Sequence, residues 1–309
     1  MAHELLTEGR ALADQLGTEL SAIAIGATDN GQEYIERGAD TVLQAADPSL
    51  SSFQVDSYTD VMAALASEYK PEILLIGATR SGMEFAPRLA ERLKTGCVTE
   101  ASRLELDAEK RYVLMDRLTF GGNAVETQIS RTKPQIATIS RGLFPAAERD
   151  QSRKGTVLEI SPKIQPSTTK ILETKQKVAK NVRLADAQII VAFGRGVRKK
   201  DDMAMIEQFA QLVGGVVGCS RPIAEDLRWV PEDQYVGLSG QKVSPKLYFA
   251  CGISGQIQHL TGIRNSRVIV AINNDPNAPI FEYSDYSVIG DLYQVIPALM
   301  ETVKKLGNA

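Results

Sequence analysis

Along the first hundred residues the apolar positions alternate between two rhythms. Leu5, Leu6, Leu12 and Leu16 share one helical face, and Gly17 follows where a helix can end in the left-handed conformation. Leu20 to Ile25 reads as a buried strand closing on Gly26, Gln32 to Arg37 as a helix, and Thr41 to Leu43 as a short strand. Ser57 to Tyr69 predicts a helix with Ser57 as N-cap. Ile73 to Ile76 is a strand ending at Gly77, and Phe85 to Leu93 is a further helix. Such alternation predicts βα units around a parallel sheet. The rhythm then changes, and Cys97 to Leu106, Arg111 to Thr119, Ala124 to Ser130 and Gln135 to Ile139 read as consecutive strands, a β-rich tail on a wound sheet. The chain opens with a helix where wound α/β domains open with a strand. An N-terminal strand is therefore expected to be absent or supplied elsewhere.

Glu148 to Gly155 is polar, and Ser161 to Val182 mixes prolines, Ser167 to Thr169 and lysines, which predicts an exposed linker. A domain boundary is expected at its end, giving an N-terminal α/β domain over 1–184 and a C-terminal parallel-sheet domain over 185–309. In the second domain Gln188 to Phe193, Val216 to Cys219, Lys246 to Cys251 and Arg267 to Ile272 read as strands. Asp201 to Val213, a stretch starting at Ser254, and Gly290 to Leu306 read as helices. The expected class is α/β with two domains, the second Rossmann-like.

Composition narrows the chemistry. The 309 residues carry 35 basic and 38 acidic side chains, a net charge of -3, which gives no electrostatic reason for nucleic acid or an anionic membrane as partner. Apolar runs such as Ile189 to Phe193 are far too short to span a bilayer. The opening residues lack the features of a secretory signal or transit peptide, so a cytoplasmic location is expected. Three scattered cysteines and two histidines argue against zinc, iron–sulfur and disulfide frameworks, so no metal site is expected. No GxSxG elbow occurs, and no catalytic residue is assigned.

Ligands of open parallel sheets bind beyond the carboxyl ends of the strands. Four such ends carry suggestive residues: Gly194-Arg195-Gly196, Ser220-Arg221, Gly252-Ile253-Ser254-Gly255 and Asn273. Ser254 and Gly255 are placed at a helix N-terminus, where free N–H groups favour a phosphate. Singly, each has an ordinary alternative: a tight turn, a helix cap, a surface arginine. His259 is either a satisfied buried histidine or a group of the anion site. Val197, Arg198 and Lys199 follow Gly196, so the third glycine of the GxGxxG fingerprint does not arrive, which counts against a conventional NAD site.

Together, several runs have a specific identity. They are Val236-Gly237-Leu238-Ser239-Gly240, Pro245-Lys246-Leu247-Tyr248, Gly252 through Leu260, and Ala271-Ile272-Asn273-Asn274-Asp275-Pro276, followed by Ala278-Pro279-Ile280-Phe281 and Asp285-Tyr286. This pattern resembles the α subunit of electron-transferring flavoproteins, closely over about residues 185–308 and more loosely before that. The resemblance implies FAD in the C-terminal domain and a heterodimer with a β subunit. Arg195 with Ser254, Gly255, Gln256, Ile257 and Gln258 would hold the pyrophosphate and ribityl chain. Ser220 and Arg221 would lie by the flavin, Val236, Gly237, Leu238 and Ser239 would line its reactive edge, and His259 would meet its pyrimidine carbonyl. Asn273, Asp291 and Leu292 would surround the adenosine. Leu238-Ser239-Gly240-Gln241 stands where the family commonly has Gln-Thr-Gly-Lys, which removes a polar group and a positive charge and implies an altered flavin potential. A charge-assisted hydrogen bond of roughly 1.5–3 kcal/mol at the ring corresponds to roughly 60–130 mV for one electron.

The implied function is an electron carrier between flavin dehydrogenases of the acyl-CoA type, or another flavoenzyme, and an acceptor such as a quinone reductase. One variant within the family bifurcates electrons from NADH to ferredoxin and an acyl-CoA dehydrogenase, using a second flavin on the β subunit. From other classes, an NAD-dependent α/β enzyme and a simple adenine-nucleotide-binding module remain as alternatives.

Overall fold

The computed structural model describes residues 1–26, 30–122, 124–162, 164, 169, 171–174 and 184–307. The chain divides into two compact units, Met1–Lys175 and Gln176–Ala309. The boundary expected between 184 and 185 adjoins 175–183, which lie outside the described residues, as does most of the linker expected over 161–182.

In the first unit, α1 (Ala2–Leu16) buries Leu6 and Leu12 and ends at Gly17, whose φ of 63° is left-handed. Strands β1 (Ser21–Ile25) and β2 (Thr41–Ala45) flank α2 (Gly31–Glu36). Helix α3 spans Val55–Tyr69, so Ser57 does not cap it: the helix starts two residues earlier and Ser57 is buried in its first turn. After β3 (Ile73–Gly77), α4 runs over Arg80–Leu93, with Thr79 Oγ1 accepting from the Gly82 N–H at 3.1 Å. Its first turn, Arg80-Ser81-Gly82, escapes an apolar pattern because it carries none.

The β-rich tail comprises β4 (Cys97–Asp107), β5 (Tyr112–Thr119), β6 (Ala124–Gln128) and β7 (Gln135–Ile139). It is continuous with the wound part: β7 inserts between β3 and β4, giving the order β3-β7-β4-β5-β6. Pairing is parallel across β3, β7 and β4 and antiparallel from β4 to β6. A strand that the pattern does not predict, β8 (Thr156–Ile160), joins β2 in a separate parallel sheet, β1-β2-β8. Its residues through Glu159 are exposed, so no burial signal marks it.

The second unit is one parallel sheet. Its strands are β9 (Ile189–Phe193), β10 (Val216–Cys219), β11 (Leu247–Cys251), β12 (Ile269–Asn273) and β13 (Tyr286–Ile289). Helix α5 (Met203–Leu212) follows β9, α6 (Ile257–Ile263) follows β11, and α7 (Leu292–Gly307) closes the chain. Both faces are covered. Val191, Phe193 and Ile272 pack with Ile206, Phe209 and Ile296 on one side, while Ile190, Tyr248 and Ala271 pack with Leu260, Ile263 and Ile280 on the other. This explains strands that are apolar at nearly every position. The order is β10-β9-β11-β12-β13, which is 2-1-3-4-5 in chain order. It differs from the 3-2-1-4-5-6 order of a dinucleotide-type Rossmann sheet, and its direction reverses between β9 and β11. Among the described residues no helix is long and apolar enough to cross a membrane.

Candidate cofactor site

The carboxyl ends of β9, β10, β11 and β12 open on a cavity of about 780 Å³ within the second unit, a size suited to a cofactor. Its floor is backbone. The Gly194 N–H donates to the Cys251 carbonyl at 3.0 Å and the Gly196 N–H to the Gly252 carbonyl at 3.1 Å, lacing the loops after β9 and β11 together. A Cβ on Gly196 would lie 2.6 Å from Gly252 Cα, and Gly252 itself has φ +62°. Only glycine permits both the approach and the conformation.

Beyond β10, the Ser220 N–H donates to the Phe193 carbonyl at 2.9 Å, and a single π-helical turn, Pro222–Asp226, follows Arg221. Arg221 is largely exposed and pairs through Nε with Glu225 Oε2 at 2.5 Å. The segment from Val236 to Ser239 is tied to α6, because the Leu238 N–H donates to the Gln258 carbonyl at 2.7 Å. Tyr235 donates its hydroxyl to Ser239 Oγ at 3.2 Å, while Leu238 is 56% exposed on the rim.

The loop after β11 differs from expectation. Helix α6 begins at Ile257, so Ser254 and Gly255 belong to the loop before it, and His259 sits in its first turn. Gly255 turns the chain with φ +88°, and the Ser254 carbonyl accepts from the Ile280 N–H at 3.0 Å, which delays the helix. Asn273 Nδ2 donates to the Ile253 carbonyl at 2.9 Å and braces the same loop.

Of the sixteen residues singled out in the sequence, fourteen line the cavity: Arg195, Ser220, Arg221, Val236, Gly237, Leu238, Ser239, Ser254, Gln256, Gln258, His259, Asn273, Asp291 and Leu292. Gly255 and Ile257 do not. A Cβ on Gly255 would meet Ile280 N at 2.3 Å, and Ile257 is 44% exposed on the helix surface. Arg198 is a lining residue that the sequence reading passed over. Its Nη2 lies 3.0 Å from Asp291 Oδ2, its guanidinium covers the Tyr293 ring at 5.0 Å, and its backbone N–H donates to the Tyr293 hydroxyl at 2.8 Å. The run Arg198-Lys199-Lys200 looks like solvated charge. Only residues more than ninety positions away draw Arg198 to the rim.

His259 is buried, and desolvation pushes its pKa down to about 4, partly offset by the Val236 backbone. The imidazole is therefore neutral at physiological pH. Its Nε2 lies 3.0 Å from the Tyr248 hydroxyl, and its Nδ1, shielded from solvent, has no hydrogen bond of good geometry among the described residues. Burial also raises the thiols of Cys219 and Cys251 to about 12, so both behave as core residues.

These features suit a diphosphate-bearing flavin coenzyme. Glycine backbone allows close approach, and Arg195 and Arg221 supply cations at the cavity. Residues 1–164 match a family model described as the electron transfer flavoprotein domain, and residues 183–264 match one described as the electron transfer flavoprotein FAD-binding domain. The electron transfer flavoprotein subunit alpha of Thermoanaerobacterium thermosaccharolyticum is 43% identical, over 99% of this chain and 94% of its own. The protein of the same name from Bacillus subtilis is 38% identical over 97% of this chain and 89% of its own. The acryloyl-CoA reductase electron transfer subunit beta of Anaerotignum propionicum is 35% identical over 99% of this chain and 92% of its own.

Proposed function

The chain belongs to the electron transfer flavoprotein family, and from that premise we propose that it is an α-type subunit that holds FAD in the cavity of its second unit and works as an electron carrier. The observation that carries this reading is the meeting of four strand ends with a glycine floor and a buried imidazole at the sheet reversal. Bound there, FAD supplies an isoalloxazine ring that takes up and releases electrons.

The chain's own groups divide the work. Arg195 and the loop around Ser254, Gln256 and Gln258 face the pyrophosphate and ribityl chain, with backbone N–H groups as donors. Because α6 starts only at Ile257, the loop backbone, shaped by Gly255, replaces the helix terminus expected from the sequence. Asn273, Asp291 and Leu292 take the adenosine end, and Arg198, held by Asp291 and Tyr293, closes that rim. Arg221 sets a cation beside the ring, its charge moderated by Glu225. Val236 to Ser239 flank the ring edge, and the exposed Leu238 presents an apolar contact there. His259 offers the pyrimidine carbonyl a neutral donor.

The partners that fit this role are a β-type subunit, a flavin dehydrogenase of the acyl-CoA type that delivers electrons, and an acceptor such as a quinone reductase. The test is stopped-flow mixing of the FAD-loaded heterodimer with a substrate-reduced acyl-CoA-type dehydrogenase. Transfer to the bound flavin, followed by reoxidation on adding quinone reductase, is expected. Turnover with NAD and no bound flavin would overturn the reading in favour of an NAD-dependent enzyme.

A further inference from the structure

Arg198 lines the cavity with its side chain 66% exposed, a setting in which an arginine ordinarily samples many rotamers. Three contacts hold it in one. Its Nη2 donates to Asp291 Oδ2 at 3.0 Å, its guanidinium lies over the Tyr293 ring, 5.0 Å from the centroid, and its backbone N–H donates to the Tyr293 hydroxyl at 2.8 Å.

Tyr293 is the hub of this latch. Its hydroxyl also donates to Asp202 Oδ2 at 2.5 Å, and its backbone N–H donates to Asp291 Oδ1 at 3.0 Å. Asp202 lies in the turn immediately before α5, so one tyrosine at the start of α7 ties down both the loop after β9 and the entry to α5. Burial, and after it the bond to Asp202, raise the phenol above its ordinary range, so the hydroxyl stays a donor at physiological pH.

The latch occupies one face and one edge of the guanidinium. The other face is open at the end of the cavity that Asn273, Asp291 and Leu292 share. A planar, delocalised cation stacks on aromatic faces, purine bases included. We propose that Tyr293 is a positioning residue that fixes the Arg198 guanidinium as a stacking platform for the adenine of the cofactor. This rests on the FAD reading for the identity of the ligand. A side chain locked before the ligand arrives loses little freedom on binding, which is how an exposed arginine gains grip. The adenylate half is thereby recognised by a plane rather than by a point charge, and the site prefers the dinucleotide FAD to the mononucleotide FMN.

The test is fluorescence titration of the flavin-stripped heterodimer with FAD and, separately, with FMN. Arg198→Met is expected to cut the preference for FAD over FMN at least about fivefold, the lower end for one stacked base. Tyr293→Phe keeps the ring but frees the loop, and is expected to cut it about 2- to 10-fold, the effect of one lost hydrogen bond. Arg198→Lys keeps the charge without the plane and is expected to resemble Arg198→Met. A latch that only staples α5 to α7 would lower both affinities alike or neither, and either result overturns the proposal. Full preference in Arg198→Lys overturns the platform in favour of simple charge. Should Tyr293→Phe fail to fold, the two substitutions of the exposed Arg198 decide. Preference unaltered in an FAD-binding heterodimer defeats the platform and leaves the FAD reading standing, whereas an unsubstituted heterodimer that binds no FAD defeats both.

Discussion

At the scale of single residues, the site depends most on glycines whose missing side chains are its floor. Gly196 is the sharpest case, since an added Cβ would sit 2.6 Å from Gly252 Cα and 2.9 Å from Leu292 Cδ2. The leucine can yield, but the backbone cannot without opening the loops after β9 and β11. Gly196→Ala is therefore expected to cost about 1–3 kcal/mol of stability, typical of overpacking, and to weaken FAD binding at least about tenfold, which is about 1.4 kcal/mol. Flavin fluorescence titration measures it, and a Gly196→Ala protein with unaltered affinity would show that the floor is not in contact with the cofactor. The strand-end glycines were legible in sequence because a glycine after an apolar run has few other uses. Arg198 was not, because its place depends on Asp291 and Tyr293, brought close only by the fold.

At the scale of elements, polar clamps fix strand ends that apolar packing leaves loose. Glu72, one residue before β3, pairs with both Arg111 before β5 and Lys133 before β7. These partners lower its carboxyl from the ordinary 4.5 to about 2, with the Arg111 hydrogen bond the largest cause. A carboxylate whose folded pKa is depressed contributes stability above its unfolded pKa and loses it as pH falls through the folded one. Glu72→Gln is thus expected to destabilise the protein at pH 7 by about 1 kcal/mol, a value reduced for solvent screening. The difference should shrink below pH 4.5 and be mostly lost by about pH 2. Thermal melts of both proteins against pH measure it, and a gap that persists at pH 2 would assign the effect to packing. Other element features show where sequence patterning ends. Strand β8 was unreadable because it is short and exposed. The start of α6 moved because Gly255 and the bond from Ile280 to Ser254 are tertiary facts. Strand existence was legible for β9 to β12, whose apolar runs reflect burial on both faces, whereas the insertion of β7 between β3 and β4 left no local trace.

At the scale of the whole molecule, each unit carries its own core: Leu43, Leu65 and Leu89 anchor one in the first, Phe193, Phe209 and Ile206 one in the second. The cofactor cavity lies wholly within the second. Class and most of the residues lining the candidate cavity were readable there because the chemistry-bearing residues sit at strand ends, where backbone geometry is restricted. The sheet order was not readable, since 2-1-3-4-5 and 3-2-1-4-5-6 share the same local alternation of strand and helix. The order matters because its reversal between β9 and β11 opens the cavity proposed for FAD. The most direct test is the absorption spectrum and flavin content of this chain purified with its β-type partner. The account predicts flavin absorption from FAD bound in the second unit, diminished in Gly196→Ala. A colourless heterodimer that also fails to take up added FAD would contradict it.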